Sequence, residues 1–271
     1  MNWVLHISDT HFGTEVPAVV DALLQLAWQA RPQLVVLSGD VTQRARRRQF
    51  TAAAAFVKQL GAPASLVIPG NHDIPLYNLA ARIVAPYRGF ARAFGAQLEP
   101  EYADARLLVL GVNTTRPWRH KHGELSDAQV RRVAARLRGA QREQMRLVVL
   151  HQPAWVADEV DRNNLLRTRG LPLARALRRW AEAGADAVLS GHIHLAYAAL
   201  IGPAALGEAG RSLLYVQAGT AVSHRVRAGV PNSVFLIGHD GRAACEVQRW
   251  EFYAGAGRFR QMDRQLFGLA R

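Results

Sequence analysis

Val4-Leu5-His6-Ile7-Ser8-Asp9-Thr10-His11-Phe12-Gly13 is a short apolar run that stops in an aspartate, a histidine and a glycine. The figure returns four times. Leu34-Val35-Val36-Leu37-Ser38 runs into Gly39-Asp40, and Leu66-Val67-Ile68-Pro69 into Gly70-Asn71-His72-Asp73. Leu147-Val148-Val149-Leu150 ends in His151, and Ala187-Val188-Leu189-Ser190 in Gly191-His192-Ile193-His194. Apolar runs of this length, bounded by turn residues, read as buried strands. Helical signals lie between them. Val20, Leu23, Leu24, Ala27 and Trp28 share a helical face in Val16–Ala30, and Pro32 stops it. Gln43–Leu60 reads as a helix closed by Gly61, and Leu171–Ala183 as another. Ser126 and Gln129 form a Ser-x-x-Gln capping box that opens a helix toward Gly139. From Leu195 onward strand-like runs dominate: Leu195–Ile201, Ser212–Gln217, Ser233–Gly238 and Ala243–Trp250. The pattern predicts an α/β fold with two sheets flanked by helices.

The chain has 271 residues, 49% of them apolar and 20% charged, which suits one folded domain over 1–271 and excludes disorder. There is no repeat and no low-complexity linker. The stretch 256–271 sets Phe259, Met262 and Leu266 on one helical face, predicting a C-terminal docking helix. Packing on its own domain is the commoner outcome for such a helix, with anionic lipid or a partner subunit as the other readings. No apolar run approaches the ~18 residues of a membrane span. Met1-Asn2-Trp3-Val4-Leu5-His6 lacks the basic start of a signal peptide. Cys245 is the sole cysteine, so an intrachain disulfide and a multi-cysteine zinc site are excluded. The expected location is cytoplasmic, with peripheral contact at an anionic inner-membrane face and homo-oligomerisation both open. The net charge of +13 suggests an anionic partner. All but two of the 34 basic residues are arginine, as codon bias in GC-rich DNA produces, so a solvated arginine-rich surface explains the charge at least as well as a nucleic-acid footprint.

The five strand ends carry the chemistry. In open α/β sheets ligands gather beyond the carboxyl ends of the strands, so these turns can converge. Asp9, His11, Asp40, Asn71, His151, His192 and His194 combine carboxylate, amide oxygen and imidazole, a mixture for Mn, Fe, Co, Ni or Zn rather than calcium. Seven donors exceed one transition ion and suit two if Asp40 bridges. Two divalent ions against two carboxylates leave about +2, which attracts phosphate. A lone histidine at a strand end is usually an ordinary hydrogen-bonded residue, and Gly-Asp alone is a common turn; the joint pattern is what carries the reading.

That pattern resembles the calcineurin-like metallophosphoesterases. Their Asp-x-His, Gly-Asp, Gly-Asn-His, His and Gly-His-x-His elements stand here as Asp9-Thr10-His11, Gly39-Asp40, Gly70-Asn71-His72, His151 and Gly191-His192-Ile193-His194. Ile7–Gly13 and the close spacing of the first three motifs are most similar to the bacterial class III cyclic-nucleotide phosphodiesterase branch. One departure is Gln152 in His151-Gln152-Pro153, where many relatives have a second histidine. The resemblance implies a four-layer αββα sandwich with two mixed sheets. It implies two divalent ions (Mn, Fe or Zn), the first held by Asp9, His11, Asp40 and His194, the second by Asp40, Asn71, His151 and His192. It places His72 as a catalytic residue beside Asp40. The expected reaction is attack of a metal-activated hydroxide on a small phosphate ester, with His72 as general acid. A diester, such as a 3′,5′-cyclic nucleotide, is the leading substrate. Phosphomonoesters, glycerophosphodiesters and lipid-linked nucleotide diphosphates are the alternatives. A nuclease is disfavoured because the chain has no room for a duplex-binding domain, and a non-catalytic scaffold because the ligand set is intact.

Substrate contacts are less legible. Asp73 either orients His72 or caps its turn. In Arg116-Pro117-Trp118-Arg119-His120-Lys121-His122-Gly123, Trp118 and His122 read as a lid over the site, with Arg116 and Arg119 as anion ligands, whereas His120 and Lys121 read as solvated. Asn113 and His224, each following a strand, are further candidates for the pocket wall. His6 and His239 read as ordinary strand residues.

Overall fold

The computed structural model describes residues 2–207, 210–227, 229–239 and 244–269. In chain order the strands are Asn2–Ile7 (β1), Leu34–Leu37 (β2), Ala64–Val67 (β3), Glu101–Ala103 (β4), Leu107–Gly111 (β5), Glu124–Ser126 (β6), Met145–Val149 (β7), Arg167–Arg169 (β8), Ala187–Ser190 (β9), Tyr197–Ile201 (β10), Leu213–Gln217 (β11), Ser233–His239 (β12), Ala244–Tyr253 (β13) and Arg258–Gly268 (β14). The helices are Pro17–Ala30 (α1), Arg47–Gln59 (α2), Leu79–Val84 (α3), Arg88–Phe94 (α4), Asp127–Arg138 (α5) and Leu173–Glu182 (α6).

Two six-stranded mixed sheets result, in the orders β14-β13-β12-β1-β2-β3 and β10-β11-β9-β7-β5-β4. Strands β1, β2 and β3 run parallel, as do β5, β7, β9 and β11. Apart from the first two residues of β1 and of β3 and half-buried Arg146 in β7, these strands are buried on both faces, which is why they read as unbroken apolar runs rather than as alternation. Val4, Val36 and Ile68 meet Val109, Leu147 and Leu189 between the sheets. Leu5, Ile7, Val35 and Leu37 face outward against Leu23, Leu26, Phe50 and Phe56 of α1 and α2. On the far side Val148 and Val188 pack with Val130, Leu137, Leu177 and Trp180 of α5 and α6. Helix, sheet, sheet, helix is the expected four-layer sandwich.

Two elements differ from expectation. The helix expected from Gln43 starts at Arg47. Ala45 takes a left-handed backbone (φ 52°), and the Gln49 side chain accepts hydrogen bonds from the Arg44 and Arg46 amides, which hold the preceding residues in a turn. The C-terminal docking helix is corrected to a strand. β14 pairs antiparallel with β13 from Ala244↔Gly268 to Tyr253↔Arg258, with a bulge that leaves Met262 without a partner residue. Phe259 is buried against the α1 side of the first sheet, and beyond the bulge the half-buried positions are Asp263, Gln265 and Phe267, a period of two. Met262 and Leu266, the other members of the supposed helical face, are 57% and 70% exposed. Ala243 and residues 270–271 lie outside the described residues.

Candidate metal centre

All five candidate turns lie at the carboxyl ends of parallel strands, three in one sheet and two in the other. Backbone hydrogen bonds lace the turns together. The Asp9 amide donates to the Gly39 carbonyl (3.1 Å), the His11 amide to the Asp40 carbonyl (2.9 Å), and the Gly191 amide to the His151 carbonyl (2.9 Å). The local backbone is strained. Of the seven non-glycine residues with positive φ among the described residues, five are candidate ligands: Asp9, His11, Asp40, His192 and His194. Such conformations cost about 1–3 kcal/mol each and persist where surrounding structure imposes them, commonly at functional sites. Gly39 is required for close approach: its φ is +98°, and a Cβ there would lie 2.5 Å from His151 Nδ1. Gly70 has the same role, since its Cβ would fall 2.0 Å from the Asp40 amide nitrogen.

Donor atoms converge in two groups. Asp9, His11 and His194 offer ligand atoms within 4.8 Å of one another, and so do Asp40, His151 and His192. His194 Nε2 lies 3.2 Å from Asp9 Oδ1 and 3.3 Å from His11 Nε2. Asp40 stands between the groups, Oδ1 3.3 Å from His151 Nε2 and Oδ2 3.7 Å from His11 Nε2. Asn71 Oδ1 joins the second group 3.2 Å from His151 Nε2. His151 Nδ1 donates to the Ser38 carbonyl (2.8 Å), which aims Nε2 at the centre, the outer bond that usually orients a metal-binding imidazole. Asp9 and Asp40 each accept a backbone amide, from His192 and His72, both at 2.8 Å. His192 Nδ1 is buried with no hydrogen-bond partner, and buried Asp9 Oδ1 has only the His194 imidazole within hydrogen-bond reach. Orphaned polar atoms in a buried mixed O/N cluster fit divalent transition ions.

The titration behaviour fits as well. Burial works against the charged form of every group here. For Asp9 that effect is outweighed by His194, and for Asp40 by His151 and then His72, so both carboxyls stay below the ordinary range. Against its own burial, His151 is raised to about 9 by Asp40, and His194 is raised by Asp9. Burial pushes His11 and His192 down to about 3. Each group thus pairs one carboxylate with one imidazole whose protonated form it favours, the place a cation would take.

His72 ends the third of these turns. Its Nδ1 donates to the Gln43 carbonyl (3.0 Å), and its Nε2 lies 3.4 Å from Arg225 Nη1. His72 also groups with His11 and Asp40; its Nδ1 is held by the Gln43 carbonyl, while its Nε2, at the longer distance from Arg225, lies on the cavity wall. Asp73 does not orient it. The Asp73 carboxylate accepts from the Gly70, Val41 and Thr42 amides and the Thr42 hydroxyl at 2.8–3.0 Å, binding the 40 and 70 turns together. Burial, then Asp40, raises its pKa to about 6.

The substrate candidates fare unevenly. Asn113 turns inward, its Oδ1 accepting from the Thr115 amide and hydroxyl, and it lines a different cavity with Glu99 and Gln129. Arg116 is committed to the Asn113 and Thr115 carbonyls and Gln129, and Arg119 pairs with Glu124. Trp118 is 71% exposed, and His122 is half-buried with its pKa lowered by burial and Arg167. Gln152 Oε1 accepts from the Thr114 hydroxyl (2.5 Å), so it holds the loop rather than the centre. His224 points to solvent, while its neighbour Arg225 enters the site, with Nη1 2.8 Å from Gln43 Oε1. The cavity over His72 is lined by Gln43, Arg44, Leu76, Arg82 and His120, so His120 rather than Trp118 or His122 faces the centre. Neither Arg225 nor Gln43 carried a sequence signal, being one of many arginines and an ordinary helix-start residue.

No curated protein sequence matches the chain. Among solved structures, the purple acid phosphatase PPD1 from yellow lupin superposes with a TM-score of 0.68 at 10% identity, covering 98% of this chain and 53% of that one. Vps29 from Chaetomium thermophilum gives 0.54 at 11% identity, with 100% and 97% coverage. Vps29 from Entamoeba histolytica, solved with zinc, gives 0.52 at 13% identity, with 98% and 99% coverage. These likenesses concern the fold. The profile described as calcineurin-like phosphoesterase matches residues 3–196, the span that carries every candidate ligand, and the chain belongs to that family.

Proposed function

We propose that the chain is a metal-dependent phosphodiesterase with a dinuclear centre, a small diester such as a 3′,5′-cyclic nucleotide being the leading substrate. The observation that carries this is the convergence of seven donors from both sheets on strained, cross-braced turns. The first ion would sit with Asp9, His11, Asp40 and His194, the second with Asp40, Asn71, His151 and His192. When bound, such ions neutralise the phosphate and lower the pKa of a water. In the reaction a water oxygen bonds to phosphorus, the phosphorus–oxygen bond to one alcohol breaks, and that oxygen takes a proton. His72 Nε2, open toward the cavity, is placed to hold that proton. Arg225 Nη1 beside it is placed to hold a phosphoryl oxygen. The likeness to Vps29 concerns the fold alone; here the complete donor set, with His72 and Arg225 beside it, favours catalysis.

The test is a metal-reconstituted panel: bis(p-nitrophenyl) phosphate, p-nitrophenyl phosphate, cyclic nucleotides, glycerophosphodiesters and a nucleotide–lipid diphosphate, each with Mn, Fe and Zn. Diester turnover above monoester turnover is expected. Monoester turnover alone would replace the diester reading, and no turnover with any metal would overturn the enzyme reading.

A further inference from the structure

Beside the centre, α2, α3 and α4 flank a half-open cavity of about 1110 Å³, above the roughly 300–1,000 Å³ usual for small-molecule sites. Arg44 and Leu76 line both this cavity and the one over His72, so the two adjoin. Phe50, Ala54, Ala81 and Val84 make an apolar floor and wall. Arg44, Arg46, Arg47, Arg88 and Arg92 surround it, and no carboxylate is among the lining residues. The mouth is apolar too. Tyr77, Leu79, Ile83 and Val84 are 65–84% exposed, and α3 buries none of its side chains. Trp118 is held at the same edge, because Arg82 of α3 donates to the Pro117 and Arg119 carbonyls (2.6 and 2.9 Å). Exposed apolar clusters of this kind mark binding surfaces.

We infer that this cavity holds the hydrocarbon chain of an anionic amphiphile, a phosphate ester whose headgroup lies in the metal centre. The inference rests on the hydrolase reading for the position of the phosphate, and within that reading it favours a long-chain phosphate ester over a cyclic nucleotide. The occupant follows from charge and polarity together. A second copy would set five arginines against the same five. A nucleic-acid backbone would satisfy the arginines and leave the apolar floor and mouth unmatched. An anionic headgroup with a long chain satisfies both, the arginines meeting the acidic groups and the floor the methylenes.

The probes are mono-n-dodecyl phosphate and methyl phosphate, each titrated calorimetrically into the full chain below micellar concentration. Dodecyl phosphate is expected to bind roughly a hundredfold or more tightly than methyl phosphate, since buried methylenes each add to affinity. Val84→Asp, at an exposed wall position, and Ala81→Trp, which fills the floor, should each lower that ratio by about tenfold or more. A ratio near one in the wild type, or a ratio unchanged in both variants, overturns the inference. So does tight oligothymidylate binding without a chain-length effect, the mark of a nucleic-acid groove. Hydrolysis of bis(p-nitrophenyl) phosphate is measured in parallel. Its absence with the chain-length ratio intact would overturn the hydrolase reading and leave the cavity's occupant standing, and the converse result would do the reverse.

Discussion

His72 has one ring nitrogen fixed on the Gln43 carbonyl and the other beside Arg225. His72→Ala should therefore keep its metal, read by elemental analysis, yet lose roughly 10²–10⁴-fold in kcat on a diester with a poor leaving group. The loss should shrink with a p-nitrophenyl leaving group, and equal losses on both would remove the proton-donor role. Arg225→Ala should lower kcat/KM by about tenfold to a hundredfold, the worth of a charge-assisted hydrogen bond of roughly 1.5–3 kcal/mol, with metal content unchanged. Arg225→Lys should recover part of it; full loss in both would point to the forked geometry rather than the charge. Asp40→Ala should strip more metal than Asn71→Ala, because Asp40 faces imidazoles of both groups and Asn71 only one. At this scale the donors were legible because residue type and position at a strand end both point to a metal. Arg225 was not. It differs from other arginines only through a tertiary contact, and its neighbour His224, the more suggestive residue type, points the other way.

At the scale of elements, periodicity was decisive where apolar residues ran unbroken and misleading where two periods fit the same residues. Phe259, Met262 and Leu266 satisfy helical spacing, but the unpaired edge of β13 offers a ten-residue partner, and pairing with it fixes β14 as a strand. The two arrangements differ in what they bury. Phe259→Ala should destabilise by about 3–5 kcal/mol, since the ring is 6% exposed within the core under α1. Leu266→Ala, at a 70% exposed position, should stay within about 0.5 kcal/mol. Urea unfolding of both variants checks this, and comparable losses would restore the helical packing. The loop between β5 and β6 was misread for a related reason. Its basic side chains suggested anion binding, yet Arg116 and Arg119 meet Glu124 and Gln129 of their own domain, a pairing that composition does not reveal.

Across the whole molecule, the candidate ligands come from the ends of β1–β3 in one sheet and of β7 and β9 in the other, so ions bound there would tie the two sheets together. Ions that bind only the folded chain stabilise it, by about 2.7 kcal/mol per site at a hundred times Kd, and each kcal/mol is worth roughly 2–4 °C in Tm for a domain near this size. The effect must depend on pH. His151, raised to about 9, holds its proton at pH 7 in the metal-free chain, His194 is shifted in the same direction, and an imidazole binds metal only when neutral. The sign follows from linkage. A histidine whose pKa rises from 6.5 to about 9 on folding stabilises the metal-free fold fully below pH 6.5 and loses that contribution as pH climbs through 9. Over the same interval protons cease to compete with metal, so the loaded form gains. The gap in Tm between chain with excess Mn and chain with chelator should therefore widen from pH 6 to pH 8.5. Calorimetric loading at pH 7, repeated in buffers of different ionisation enthalpy, should show at least about one proton released per chain. A gap that narrows with rising pH, or loading without proton release, would mean that the His151 proton is not displaced by the ions, and the assignment of His151 to the centre would fall.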